Sequence, residues 1–241
     1  MPVKGHSPFG WRKLLPRRYG LEEYLETIYV LESEGVTVIG ARVAEFMGVR
    51  APSVTEAFHR MERSNLISVD DHVISLTPQG RIEAESVVRR HRVAERWLTD
   101  VLGFDWAKAD EEANKLSHAF STEVVERLSE IMGEPRTCPH GNPIPGNWPR
   151  PEFSGLRLDD APQGVDLQVE RVVEHAEVDA KLLRYLWGHG VVPGVHLTLL
   201  DKVSGAGTVT VELNGQVVSL GISAASKVQV RPSAPKPAVA S

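Results

Sequence analysis

The sequence is poor in cysteine, and this limits the chemistry that it can support. Cys138 is the one cysteine among 241 residues, so an internal disulfide and a cysteine-rich zinc site are both excluded. Basic residues are not in excess either, since 27 Lys and Arg stand against 32 Asp and Glu, a formal net charge of −5. That balance excludes a polybasic protein, although it still allows a local basic patch.

Signals for membrane insertion or export are also missing. No apolar run reaches the roughly 18 residues that a transmembrane helix needs, and the first twenty residues lack the apolar centre of a signal peptide. A lone cysteine suits a reducing compartment, so we expect a soluble, cytoplasmic protein. What the chain does have is nine histidines and many carboxylates, which permit a site for a hard divalent metal.

Periodicity changes along the chain and predicts an α+β fold that is mostly α. Apolar residues recur at helical spacing in six segments: 21–34, 40–47, 52–65, 78–102, 107–119 and 121–132. Alternation predicts a hairpin over 66–77 and, around a short helix at 178–188, the strands 167–173, 195–203, 208–213 and 216–220. Several short strands at this spacing indicate a small β-barrel.

Composition divides the chain into six parts. We expect a basic flexible arm (1–20), a winged helix-turn-helix domain (21–80), a helical domain (81–147), a proline-rich linker (148–163), a small barrel (164–231) and a disordered tail (232–241). The arm could instead contact phosphates, because it has five basic residues and no acidic one.

The segment from Gly40 to Phe58 has the pattern of a DNA-binding unit. Ala44 is a small residue where two helices would cross, and Gly48 follows where the tight turn needs positive φ. An ordinary pair of helices in a bundle is the alternative interpretation. The hairpin at 66–77 makes the unit winged, although its acidic turn argues against strong phosphate binding by the wing.

A recognition helix reads base edges with its first turns and contacts phosphates with its flanks. The second helix is expected to start at Pro52, which we place in the DNA-binding surface, and we assign Ser53, Thr55 and Glu56 to base edges or nearby phosphates. Four arginines suit phosphates: Arg42, Arg50, Arg60 and Arg63.

Metal-binding residue types recur on the next two helices. His91 and Glu95 lie one turn apart and share a helix face, as a divalent site requires. A second stripe carries Asp110, Asn114, Ser117 and His118. The alternatives are a solvent-exposed His–Glu pair, and an Asp110 that only caps its helix.

Several stretches together resemble the diphtheria toxin repressor family of metal-dependent transcriptional repressors, which has iron-type and manganese-type members. They are EEYLETIYVLESEGVT (22–37), HRMERSNL (59–66), LTPQGR (76–81), RRHRVAERWLTDVLG (89–103), HAFSTEVVERL (118–128) and CPHGNPIPG (138–146). The resemblance covers about residues 20 to 231. It implies a three-domain protein, not an enzyme, whose barrel is an SH3-like (FeoA-type) domain.

The resemblance also implies two metal sites. In one, His91 and Glu95 are joined by Asp110, which replaces the usual His, and by Glu174 and Glu177 from the SH3-like domain. In the other, Glu23 joins Asn114, Ser117 and His118. Asn114 replaces a usual Cys or Glu and Ser117 a usual Glu, so this second site loses charge. Cys138 lies outside both expected ligand sets.

Oxygen and imidazole ligands suit Mn²⁺ and also Fe²⁺, and we favour Mn²⁺, with Zn²⁺ or Co²⁺ binding in vitro. The partners expected are a palindromic double-stranded DNA operator and a second copy of the chain, without a membrane or a small-molecule substrate. We expect the long helix to supply an apolar dimer face: Val87, Val88, Ala94, Trp97, Leu98 and Val101. Two alternatives remain, a winged-helix regulator with a degenerate metal site and a metalloenzyme.

Overall fold

The structure, a computed structural model, describes residues 20–148, 152–174 and 179–233. These residues form three successive parts: a winged helix-turn-helix, a group of helices, and a β domain. The mostly helical α+β class expected from the sequence is thereby confirmed. No helix within the described ranges combines the length and the apolar composition needed to cross a membrane. The predicted N-terminal arm lies outside the described residues, apart from Gly20.

The first part contains three helices and a hairpin: α1 (Leu21–Ser33), α2 (Gly40–Met47), α3 (Ala51–Arg63), β1 (Ile67–Asp70) and β2 (Val73–Leu76). Helix α2 ends at Gly48, whose φ of 64° is a left-handed conformation that glycine adopts without strain. Ile28, Val43 and Met61 are completely buried between the helices. The crossing of α2 and α3 therefore buries one face of α3 and leaves the other in solvent.

The middle part contains α4 (Pro78–Asp100), α5 (Trp106–Leu116), a 3₁₀ turn (Ser117–Ala119) and α6 (Thr122–Ile131). The Thr77 hydroxyl accepts a hydrogen bond from the N–H of Gly80 and caps α4, as Thr-Pro at a helix start predicts. A Cβ on Gly80 would lie 1.8 Å from the carbonyl oxygen of Leu66. Because only glycine permits that approach, α4 packs directly on the hairpin.

The third part is a six-stranded antiparallel sheet of order β3-β8-β4-β5-β6-β7. Its elements are β3 (Leu156–Arg157), β4 (Asp166–Val172), α7 (Ala180–Gly188), β5 (His196–Val203), β6 (Thr208–Leu213), β7 (Gln216–Gly221), α8 (Ile222–Ala225) and β8 (Val228–Pro232). The two-residue turn at Asn214-Gly215 joins β6 to β7 as expected.

Two strands of this sheet were not predicted. β3 and the 3₁₀ turn after it (Leu158–Asp160) lie inside the expected linker 148–163, and Leu158 is completely buried in the core of the sheet domain. A two-residue strand has no measurable alternation, and its stability comes from pairing with β8, more than seventy residues later. β8 was also missed, because only Val228 and Val230 of its five residues point into the core.

The sheet domain packs on the middle part through the loop that follows α6. A Cβ on Gly141, whose φ is 91°, would lie 2.5 Å from the carbonyl oxygen of Glu170 in β4. The N–H of Val172 donates to the carbonyl of His140 at 2.8 Å, and the Asn142 side chain donates to the carbonyl of Val172 at 3.1 Å. The loop 138–142 thus hydrogen-bonds β4 almost as a neighbouring strand would.

Candidate metal centre and nucleic-acid interface

His91 is the centre of the first group of candidate ligands. It is 8% exposed on α4. Its Nε2 lies 3.5 Å from Oε1 of Glu95 and 3.8 Å from Oδ1 of Asp110 on α5, while its Nδ1 lies 3.6 Å from Oε1 of Glu26 on α1. Ligand atoms of His91, Glu95 and Asp110 all lie within 4.8 Å of one another. Three helices therefore converge on one imidazole.

Electrostatics at this group favour a positive charge. Burial alone would lower the pKa of His91, but the carboxylates of Glu26, Glu95 and Asp110 outweigh it and raise the pKa from 6.5 to about 10. Glu95 is also buried, and the pKa of its carboxyl is nevertheless lowered because His140 and His91 lie beside it. Carboxylates that hold a proton this firmly on an imidazole also suit a divalent cation.

A second group shares Glu95 and adds Cys138 and His140 from the loop after α6. All three are buried, and their ligand atoms lie within 4.8 Å of one another. Nδ1 of His140 is 3.7 Å from Oε1 of Glu95 and 3.8 Å from the sulfur of Cys138. Both carboxylate oxygens of Glu95 are buried, and the imidazoles of His91 and His140 lie 3.5 and 3.7 Å from its Oε1. A buried carboxylate is stabilised by a positive group beside it, either a protonated imidazole or a bound cation.

The structure thus differs from the sequence-based expectation that Cys138 lies outside the ligand set. It also adds Glu26 and His140, which were not among the candidates. Glu26 carried a readable signal, since it follows Glu23 on the same helix face. The only sequence signal at His140 is the unusual CPHGNPIPG motif. That motif has no helical or strand periodicity, so it does not predict which element the loop packs against.

Asp110 does not cap its helix. The first turn of α5 is capped by Asp105, whose carboxylate accepts from the N–H of Lys108 at 2.9 Å. Asp110 lies one turn later and faces His91. The capping alternative for Asp110 is therefore wrong.

The second predicted site is only partly assembled. Nε2 of His118 lies 3.7 Å from Oε1 of Glu23, so these two residues do meet. The amide nitrogen of Asn114 donates to the backbone and side-chain oxygens of Asp110 at 2.9 and 3.0 Å, and Ser117 is buried at the start of the 3₁₀ turn. Asn114 and Glu23 both line a cavity of about 450 Å³ that also reaches His91 and Asp110.

Glu174 does not lie on His91 and Glu95 as expected. Its carboxylate forms a buried ion pair with Arg92, whose guanidinium also donates to the carbonyl of Pro143. Arg92, the residue after His91, is thus the partner of the carboxylate that was expected to bind a metal. Glu174 nevertheless lines the 450 Å³ cavity that reaches His91 and Asp110. Glu177, the other ligand expected from the SH3-like domain, lies outside the described residues.

The candidate DNA-binding surface is the solvent side of α2 and α3. Val54, Ala57 and Met61 hold α3 against the core, and all eight proposed contact residues are exposed: Arg42, Arg50, Pro52, Ser53, Thr55, Glu56, Arg60 and Arg63. Pro52 lies in the first turn of α3, one residue later than the helix start. A solvent-facing helix with exposed arginines at both ends fits a major groove flanked by phosphates.

Fold and site together define a class of protein in which a winged helix-turn-helix domain adjoins a helical domain that carries candidate metal ligands. Three family models match: "Iron dependent repressor, N-terminal DNA binding domain" over 20–72, "Iron dependent repressor, metal binding and dimerisation domain" over 77–146, and "FeoA domain" over 156–232. The chain belongs to this family of iron-dependent and diphtheria toxin repressors.

Individual relatives agree with that assignment. The iron-dependent repressor IdeR of Mycobacterium tuberculosis is 39% identical over 201 residues, which cover 79% of this chain and 87% of the relative. The diphtheria toxin repressor of Corynebacterium diphtheriae is 36% identical over 208 residues, covering 83% and 91%. Among solved structures, a manganese-dependent transcriptional repressor in complex with manganese has a TM-score of 0.79 at 30% identity, covering 89% of this chain and 100% of that one.

Proposed function

We propose that this metal-dependent, DNA-binding repressor is switched by a divalent cation held at the group around His91. The observation that carries the proposal is the convergence of α1, α4 and α5 on that imidazole, with Glu26 at 3.6 Å and Asp110 at 3.8 Å. Since α1 belongs to the DNA-binding domain, a cation held there would fix that domain on the helices that control dimer geometry. Helix-turn-helix dimers need recognition helices about 34–36 Å apart to read a palindromic operator.

The ligand types indicate which metal each group prefers. Glu26, His91, Glu95 and Asp110 offer only oxygen and imidazole nitrogen, which suit Mn²⁺ and Fe²⁺, and we favour Mn²⁺. The group of Glu95, Cys138 and His140 adds a thiolate, which favours a softer ion such as Zn²⁺ or Co²⁺. Glu23 and His118 form a third pair of ligand residues, to which Asn114 and Ser117 add only neutral oxygens.

Dimerisation would use only part of the expected face, since Val101 is exposed but most of the other expected residues are not. Val87, Val88, Ala94 and Leu98 are buried within the chain, so they are not available to a partner. The exposed apolar residues of the middle part are Ile82, Val101, Leu102, Val124 and Ile131. We infer that those at the end of α4 and along α6 form the dimer face, because this part of the chain matches the metal-binding and dimerisation family model and a cluster of exposed apolar residues can mark an interaction surface.

The proposal is tested by operator binding with and without metal. Mn²⁺ or Fe²⁺ should raise the affinity of the wild-type protein for a palindromic operator by tenfold or more, a coupling of at least about 1.4 kcal/mol. His91→Ala should abolish the increase, whereas His189→Ala, which changes an exposed histidine of α7's C-terminal end, should retain it. Operator affinity unaffected by a chelator would contradict the proposal and would favour a regulator with a degenerate metal site.

A further inference from the structure

Two acidic residues in the first turn of α1, Glu22 and Glu23, face opposite nitrogens of one imidazole. Oε2 of Glu22 is 2.9 Å from Nδ1 of His118, and Oε1 of Glu23 is 3.7 Å from Nε2 of the same ring. Glu23 and His118 are the candidate ligands of the partly assembled site. Glu22 faces away from Glu23 across the ring, so it lies outside that ligand pair.

The 2.9 Å contact between Glu22 and His118 determines which ring nitrogen of His118 carries the hydrogen. An ionised carboxylate can only accept a hydrogen bond, so Nδ1 of His118 carries the hydrogen. In the neutral imidazole the lone pair is then on Nε2, the nitrogen that faces Glu23. Metal-binding histidines generally have their other nitrogen held by a carboxylate or carbonyl in this way, which sets both tautomer and ring orientation.

Glu22 is itself held in place. Its second oxygen, Oε1, lies 2.9 Å from Nη2 of Arg90 on α4, and Nη1 of Arg90 also donates to the hydroxyl of Ser86 one turn earlier. The carboxylate therefore divides its two oxygens between an arginine of α4 and the histidine of the 3₁₀ turn. This arrangement exists only while α1 lies against α4.

We propose that Glu22, held by Arg90, is a positioning residue that presents Nε2 of His118 to a divalent cation. The inference rests on the proposed function and extends it, because it makes ligand geometry depend on the docking of the DNA-binding domain. A domain that moves away takes Glu22 with it, and His118 then loses both its fixed tautomer and its fixed orientation.

Metal affinity tests the proposal with a control that the chain supplies. Arg81 and Glu32 form a second α1–α4 ion pair, at 2.5 Å, and among the described residues neither is hydrogen-bonded or ion-paired to a candidate ligand. Calorimetric titration with Mn²⁺ should show a loss of about 10- to 100-fold for Glu22→Ala. Arg90→Met should show a smaller loss and Arg81→Met none. Glu22→Gln should recover part of the affinity, because its amide oxygen still accepts from Nδ1.

Nitrogen-15 NMR of the metal-free protein separates this inference from the proposed function. In the wild type, His118 should show the tautomer protonated at Nδ1, and Glu22→Ala should convert it to a mixture, whatever the DNA response. An unchanged tautomer, or an equal loss of affinity in Glu22→Ala and Arg81→Met, would overturn the positioning role. A wild type that shows the expected tautomer but no metal-dependent DNA binding would instead contradict the proposed function alone.

Discussion

At the scale of single residues, Glu95 connects the two buried groups of candidate ligands. Its Oε1 lies 3.5 Å from Nε2 of His91 on one side and 3.7 Å from Nδ1 of His140 on the other. Because one carboxylate faces both groups, a change at this position affects both, whereas changes at His91 or His140 affect mainly one.

Glu95→Gln keeps the size of the side chain and removes the charge that both groups share. We expect the affinity for divalent metal to fall by at least about tenfold at each group, measured by calorimetry. Glu130→Gln on the exposed side of α6 is the control and should leave the affinity unchanged. Full affinity at the group of Cys138 and His140 in the Glu95 variant would show that the carboxylate serves His91 alone.

The raised pKa of His91 predicts how the chelated protein responds to pH. The pKa of His91 is about 10 in the folded state and about 6.5 in the unfolded state, so the contribution of His91 to the free energy of unfolding is fully present below pH 6.5. The contribution then declines as pH rises and is lost above about pH 10. Denaturant unfolding in the presence of a chelator should therefore show wild type losing more stability than His91→Gln between pH 6.5 and 10. Parallel curves for the two proteins would rule out this charge arrangement.

Part of the candidate site could be read from the sequence, because helical spacing places residues on a common face. His91 and Glu95 were predicted together for this reason, and the structure brings Asp110 to them. Cys138 and His140 could not be placed in this way. They lie more than forty residues from Glu95 in an irregular loop, and only the tertiary fold brings the loop back onto α4.

At the scale of elements, an ion pair connects α1 of the DNA-binding domain to β4 of the sheet domain. Both oxygens of Glu34, just after α1, lie 2.8 Å from the guanidinium of Arg171. Gln229 and Asn142 accept from the same guanidinium, and Phe153 packs at 4.6 Å from it. Arg171 is mostly buried and donates four hydrogen bonds, so deleting it should cost more stability than deleting one partner of a surface pair.

Arg171→Met should remove this connection and leave Glu34 without its partner. We expect a loss on the order of 3 kcal/mol in the free energy of unfolding, since one member of a mostly buried pair is deleted. Arg81→Met deletes the partner of an exposed pair and should cost about 1 kcal/mol or less. Chemical denaturation measures both, and similar small losses would mean that the sheet domain contributes little to holding α1.

Element prediction succeeded where periodicity is long and failed where pairing is remote. The helices of the first two parts follow the apolar spacing closely, and the hairpins follow their turn residues. β3 has two residues, and its partner β8 lies at the far end of the domain. Strand pairing of that kind is a property of the fold and leaves almost no local pattern.

At the scale of the whole molecule, the proposed dimer face consists of apolar residues that the single chain leaves in solvent. Ile131, at the end of α6, is 64% exposed, and Val124 on the same helix is 42% exposed. Val101 and Leu102 are exposed at the end of α4, which packs on α6.

Ile131→Glu should place an unpaired charge in the dimer face and shift the protein towards monomer. Sedimentation velocity in the presence of metal measures the shift, and operator affinity should fall with it because two recognition helices are needed. Val217→Glu is the matched control: Val217 has almost the same exposure, 65%, on β7 of the sheet domain. Equal dissociation of both variants would place the interface elsewhere.

Trp106 gives the molecule an optical property of its own. Its indole is 1% exposed, and its ring centroid lies 4.7 Å from that of His140 and 5.6 Å from that of Trp187. We expect an indole buried this deeply to emit at short wavelength, and we expect a cation bound at His140 to change the intensity of that emission. Metal binding at the group of Glu95, Cys138 and His140 can therefore be followed by tryptophan emission from the native protein, with no attached dye. Loss of the change in Trp106→Phe would assign the signal to Trp106.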